Sequence, residues 1–186
     1  TYSTRWFPYS KGGGFRRWYG FNEKVVNWEN DGEELRNFRD ESGKLKSRPQ
    51  NTRYYFKPGL TWSSLTSYKL SLRQMNNSIF GGGGSAMFCN IEPDYLLGLV
   101  NSKVAEYFLN LLNPTINFLV NDIMSIPVII RRKEEVIKLV QDCVRISKSD
   151  YDSCETSWDF KIHPLLKETI NRKKENLRLQ DLFNEV

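Results

Sequence analysis

The stretch Lys11–Gly32, KGGGFRRWYGFNEKVVNWENDG, sets a glycine triplet, the Arg16-Arg17 pair and three aromatics (Phe15, Trp18, Tyr19) within its first nine residues. Each of these residue types answers a different feature of a polyanion. Glycine lets a backbone come close to a ligand, a guanidinium pairs with phosphate or a base edge, and flat rings stack or wedge. A glycine-rich turn with its aromatics folded into the core would use the same residues. What favours the first reading is the company further on. Cations at Lys11, Arg16, Arg17, Arg48, Arg53, Lys57, Lys69 and Arg73 are joined by amides at Gln50, Asn51, Gln74, Asn76 and Asn77. In a duplex reader phosphate contacts give grip and base-edge contacts give choice; amides pair bidentately with adenine as arginine does with guanine. Lys69–Asn77, KLSLRQMNN, holds both kinds and reads as the most exposed stretch, so base contact is expected there first and at Arg48–Arg53 second. A polar hairpin edge would look the same. Trp18, Tyr19, Tyr54, Tyr55 and Trp62 are expected in the core rather than against a base.

Charge follows the same division. Residues 1–80 carry 14 Lys/Arg against 7 Asp/Glu, residues 81–130 carry 1 against 4, and residues 131–186 carry 12 against 11. A polyanion would therefore meet the aromatic-rich first part. Cys89, Cys143 and Cys154 are far apart and odd in number, forming neither a disulfide framework nor a zinc pattern, which fits a reducing cytosol. A single histidine, His163, leaves no basis for a His-based metal cage or a catalytic triad. Placed before Pro164, it is expected to help start a helix. No apolar run reaches the roughly 18 residues of a membrane helix. The chain has no signal peptide and opens at Thr1, so the expectation is an excised piece of a longer, cytoplasmic protein.

Several catalytic motifs are approached and missed. Gly81-Gly82-Gly83-Gly84-Ser85 lacks the Gly-Lys-Ser/Thr ending of a phosphate loop, and Lys11-Gly12-Gly13-Gly14 has the wrong order. Asn113-Pro114-Thr115-Ile116 starts like the Asn-Pro-Pro-aromatic motif that holds a flipped adenine, but Ile116 cannot stack on a base, and a helix stop is the better account. No glycine-rich loop for S-adenosylmethionine follows a strand, and no carboxylate pair stands out. The expectation is a piece with no catalytic, cofactor-binding or metal residues of its own.

The elements that must position the candidates fall into two halves. Glu23–Trp28, Arg53–Lys57, Leu60–Leu65, Tyr68–Leu72, Ile79-Phe80 and Ala86–Ile91 read as strands, with turns at Asn30-Asp31-Gly32 and Pro58-Gly59. Gly81–Ser85 reads as a hairpin loop or a close backbone passage. From Glu92 the period becomes helical, with Leu96, Leu97, Val100, Val104, Phe108, Leu111 and Leu112 on one helix that ends near Asn113-Pro114. Ile126–Ile130 is expected as a last strand. Arg131–Ser147 is a second helix with Val136, Leu139, Val140, Cys143 and Val144 on one face. A connector over Ser149–Thr156 leads to the anchors Trp158 and Phe160, then to a charged helix from Pro164 whose thin stripe is Ile170, Leu177, Leu182 and Phe183.

The opening stretch, RPQNTRYYFKPGLTWSSLTS (Arg48–Ser67) and YLLGLVNSKVAEYFLNLLNPTINFLVNDIMSIPVI (Tyr95–Ile129) together resemble the BREX/Pgl-type adenine-specific DNA methyltransferases. The third segment also resembles the TaqI-like C-terminal specificity domain of single-chain restriction-modification enzymes, through Leu99-Val100-Asn101-Ser102-Lys103 and the Ile126-Pro127 step. SCETSWDFKIH, up to His163, is similar to the connector that follows that domain. The resemblance implies an α+β fold: a twisted mixed sheet with flanking helices over residues 1–130, the target recognition domain, and a helical spacer over 131–186. It implies double-stranded DNA as partner, with S-adenosylmethionine and the flipped base held by an N-terminal catalytic domain of the same polypeptide. Asn101 and Ser102 belong to the resemblance, yet capping or packing of the helix explains them better than DNA contact. An interaction module for other phage-defence components, or a single-stranded nucleic acid binder, would suit the same aromatic and basic surface.

Overall fold

The computed structural model describes residues 4–67 and 69–171, and the chain is α+β as expected. Its strands divide between two three-stranded sheets instead of forming one. In the first, β1 (Trp6–Lys11) lies between β2 (Val25–Asn27), antiparallel to it, and β5 (Ile79–Gly81), parallel to it. In the second, β3 (Gly59–Ser63) lies between β4 (Leu72–Met75) and β6 (Gly84–Met87), both antiparallel. Six α-helices complete the fold among the described residues: α1 (Glu29–Asn37), α2 (Pro93–Val100), α3 (Lys103–Leu112), α4 (Val120–Met124), α5 (Lys133–Tyr151) and α6 (Pro164–Asn171).

The main core forms where the second sheet meets the helices. Leu60, Trp62 and Leu72 point at Leu96, Leu97 and Val100 of α2, and Leu109, Phe118, Ile123 and Val140 close the cluster. Helix α5, expected in the spacer, packs on α2 and supplies Val140 to this core. A smaller cluster of Trp28, Tyr55 and Ile79 sits against the first sheet.

The second face of the β4-β3-β6 sheet is polar, because alternate strand residues point opposite ways. Thr61, Ser63, Ser71 and Arg73 are all nearly inaccessible there. The glycine-rich stretch lies over this face as a strap. The Gly13 N–H donates to Ser63 Oγ (2.9 Å) and the Arg16 N–H to Ser71 Oγ (3.2 Å). Beside β4, the Trp18 N–H donates to the Leu72 carbonyl and the Gln74 N–H to the Trp18 carbonyl.

The two glycine runs meet each other. A Cβ on Gly12 would lie 2.3 Å from the Gly83 carbonyl oxygen, and one on Gly84 would lie 2.4 Å from that of Ser10. Backbone passes backbone here, so Gly81–Ser85 is a close passage between the two sheets and not a hairpin, since β5 and β6 pair with different partners.

Other expectations change for local reasons. Asn30, Asp31 and Gly32 turn the chain with φ of 51°, 58° and 74°, and this left-handed turn lies inside the start of α1. Arg53–Lys57 is not a strand: left-handed Asn51 (φ 56°) starts a 3-10 turn over Thr52–Tyr54, and Tyr55 is buried edge-on against Trp28. Strand pairing at Tyr68–Leu72 begins only at Leu72 and runs on to Met75; Tyr68 lies outside the described residues. The single helix from Glu92 breaks at Asn101-Ser102, where Ser102 caps α3 by accepting from the Ala105 N–H. Ile126–Ile130 forms no strand; Ile126 enters the core, Pro127 lacks the N–H a ladder needs, and Tyr95 Oη donates to the Ile129 carbonyl. Leu139 and the expected anchor Trp158 are 59% and 67% exposed, because nothing described packs over them. Ile170, Leu177, Leu182 and Phe183 lie outside the described side chains. Asn113-Pro114 does end α3, and the His163 imidazole accepts from the Leu165 N–H at the start of α6.

Candidate nucleic-acid interface

The strap spends most of its chemistry on the protein itself. Arg16 donates from Nε to the Tyr19 carbonyl (3.0 Å), pairs with Asp150 (2.9 Å) and covers the Tyr151 ring. Tyr151 in turn accepts from the Asn22 N–H, and burial, with Glu23 adding to it, pushes its phenol up to about 12. Lys148 reaches Asp152 and Asp159 (2.7 Å each) and Tyr19 Oη (3.0 Å). Burial opposes its charge, but these bonds outweigh that and raise its pKa. The strap is thus fastened to α5 by the arginine that the sequence offered to phosphate. Arg17 faces Glu106 (3.7 Å), and Glu106 is shared with Lys69 (2.7 Å), so two more candidate cations are partly neutralised.

The stretch Lys69–Asn77 is not the most exposed one. Its residues alternate between the two covered faces of the β4 edge, and Leu70, Ser71, Leu72, Arg73 and Met75 are all buried. Arg73 is 1% exposed and lies 4.9 Å from the centre of the Phe21 ring. Neither of its terminal nitrogens has a hydrogen-bond partner among the described residues. Burial brings its pKa down to about 10 against the opposing pull of Glu23, so it stays charged at neutral pH. Gln74 is half-buried and donates to Asp94 (2.9 Å). Lys69, Asn76 and Asn77 remain at the surface.

A cleft of about 620 Å³ gathers three of the other candidates, Arg48, Gln50 and Asn51. One wall is the irregular segment Lys46–Asn51, where Lys46, Arg48, Gln50 and Asn51 are exposed. Gly81–Gly84 lines the same cleft, and its first three residues have φ of 153°, 56° and 88°, open to glycine at little cost. Tyr9, Trp28, Tyr55 and Phe80 line it between. Lys11 stands opposite Gly81 in the β1–β5 register. Arg53 and Lys57 lie outside the lining, both over the Tyr54 ring at 4.9 and 5.5 Å, and Tyr54 stacks on Phe88. Lys46 is the lining residue that the sequence reading missed; its place two residues before Arg48 was the available signal. It pairs with Asp40 at 3.4 Å. The wall therefore offers cations and amides side by side beside a glycine backbone, a set able to meet phosphate and base edge together.

Neither Gly81–Gly84 nor Asn113 is arranged as the matching part of an S-adenosylmethionine-dependent site would be. Gly81–Gly84 leads from strand to strand and not into a helix N-terminus, where an adenosyl or phosphate group would be received. Asn113 is fully used in shaping its own loop: Nδ2 donates to Asp122 (2.7 Å) and the Asn117 carbonyl, and Oδ1 accepts from Thr115. Among the described residues no His, Cys, Asp or Glu cluster could hold a metal, and no helix is long and apolar enough to cross a membrane.

Comparison with known proteins gives two strong likenesses. The chain is 36% identical over 169 residues to the adenine-specific methyltransferase BrxX of Escherichia coli O9:H4 (strain HS), covering 88% of this chain and 13% of that protein. It is 34% identical over 165 residues to the adenine-specific methyltransferase PglX of Lacticaseibacillus casei (strain Zhang), covering 87% of this chain and 14% of that protein. The chain thus spans under one sixth of the length of these relatives. No family model matches it.

Proposed function

Since this chain corresponds to a segment of the BREX/Pgl-type adenine-specific methyltransferases, we propose that it is the part that contacts double-stranded DNA and selects the target site. Methyl transfer, S-adenosylmethionine and the flipped base then belong to a catalytic domain elsewhere in the same polypeptide. The observation that carries this reading is the cleft, whose lining brings Lys46, Arg48, Gln50 and Asn51 together with the Gly81–Gly84 turn. Two facts support it: the basic excess of residues 1–80 lies on this side of the sequence, and Asn113, the asparagine of the incomplete Asn-Pro-Pro-aromatic match, is held by its own loop. Within the proposal, Lys11, Lys46 and Arg48 grip phosphates and Gln50 or Asn51 meets a base edge. The site for base contact moves from Lys69–Asn77 to Arg48–Asn51, because Arg73 has no surface to offer.

The test is made in the parent methyltransferase, with methylated adenines mapped by sequencing. Gln50→Ala or Asn51→Ala relaxes one position of the recognised sequence, at about 1–3 kcal/mol against the preferred base. Arg48→Ala weakens all sites alike and lowers the slope of log K against log salt by about 0.9 per phosphate lost. Unchanged recognition together with an unchanged salt slope in all three folded variants would refute the assignment.

A further inference from the structure

Helix α3 is apolar on two sides. Ala105 and Leu109 enter the core, while Tyr107, Leu111 and Leu112 are 64%, 65% and 53% exposed. Helix α4, in contact with α3, adds Met124 at 76% exposure, and Leu119 just before it is 51% exposed. Asn113 and Asp122 hold the two helices together by a 2.7 Å hydrogen bond. Large aliphatic and aromatic side chains gathered this densely on two adjoining helices mark a surface that something covers. A core stripe alone would leave the second side of α3 polar.

We propose that this α3–α4 face is covered in cis by an apolar surface of the parent polypeptide outside the present chain. Two observations choose that occupant. The exposed side chains of the face are aliphatic and aromatic, and Arg17 and Lys69 at its edge are already paired with Glu106, so it offers little grip to DNA or an anionic membrane. The relatives extend far beyond the matched region, which is 13% and 14% of their length. A covalently linked surface competes at an effective concentration that a second copy, free in solution, does not reach. The face lies apart from the cleft lining save for Val120, so the proposal rests on the homology and not on the DNA reading.

Methionine oxidation in the intact parent protein tests it, because thioether oxidation follows access to the sulfur. The chain supplies its own reference: Met75 is 2% exposed and Met124 76%. In the monomeric parent without DNA, hydrogen peroxide should oxidise Met124 as slowly as Met75, and denaturation should bring both to the same fast rate. Met124 oxidised fast in the native parent overturns the proposal. So does protection that disappears on dilution of a dimer, which assigns the face to a second copy, and so does protection that needs added duplex. Loss of sequence selection in the Gln50 or Asn51 variants leaves this readout unmoved, so the two readings fail separately.

Discussion

Asn101 gives the sharpest stability prediction. Its side chain is 4% exposed and forms a two-bond bridge to one residue of the β4 edge: Oδ1 accepts from the Leu72 N–H (2.9 Å) and Nδ2 donates to the Leu72 carbonyl (3.0 Å). In Asn101→Ala the carbonyl keeps the Trp18 N–H as donor, whereas the Leu72 N–H loses the acceptor that Asn101 provides. Two net hydrogen bonds at about 1 kcal/mol each, plus part of the 1–3 kcal/mol cost of a stranded buried donor, give about 3 kcal/mol. For a chain of this size that is roughly 6–12 °C in Tm. Urea denaturation and calorimetry of the purified chain measure both. Asn101→Asp supplies a signature that simple packing loss does not. Its second oxygen faces the Leu72 carbonyl, so the buried carboxyl is favoured in its protonated, donating form and its pKa in the folded state rises above the unfolded value of about 3.9. The stability gained from that proton is complete below pH of about 3.9 and is lost as pH rises through the folded pKa. The Asp variant therefore loses stability, relative to the wild type, between acid and neutral pH. A cost below about 1 kcal/mol for the Ala variant, or no such differential pH slope for the Asp variant, refutes the claim that Asn101 pins β4 to the helices.

Two further outcomes follow from the packing. Gly12→Ala drives a Cβ into the Gly83 carbonyl, a backbone atom that cannot rotate aside, and should cost about 1–3 kcal/mol in urea denaturation, whereas a glycine kept only for ligand approach would tolerate alanine. Arg73→Met should be neutral or stabilising, since it removes a buried charge whose two terminal nitrogens have no hydrogen-bond partner among the described residues, while filling similar space; Arg73→Ala leaves a cavity and should cost about 2–5 kcal/mol. Chemical denaturation of the pair separates the packing role from the charge.

The residue pattern by itself determined much of this protein: strands followed by helices, with strands within Glu23–Trp28 and Leu60–Leu65 and at Ile79-Phe80, a helix over most of Arg131–Ser147, the stop at Asn113-Pro114, and a capping or packing role for Asn101 and Ser102. Each of these rests on neighbours within a few positions, where periodicity and turn chemistry act. The resemblance to the adenine-specific methyltransferases was likewise legible in short motifs. Which candidate side chains reach the surface was decided only by tertiary structure. Arg73 reads as an exposed cation in KLSLRQMNN, yet the strap of residues 12–21, some fifty positions away, covers it. The glycines read as room for a ligand, and instead Gly12 makes room for Gly83. Arg16 reads as free for phosphate and is held by Asp150, 134 positions on. Arg48, Gln50 and Asn51 look no different in the sequence from the other amides and cations. They share a cleft with Gly81–Gly84 because β5 pairs with β1 and β6 with β3, and long-range pairing of that kind leaves no local periodicity to read.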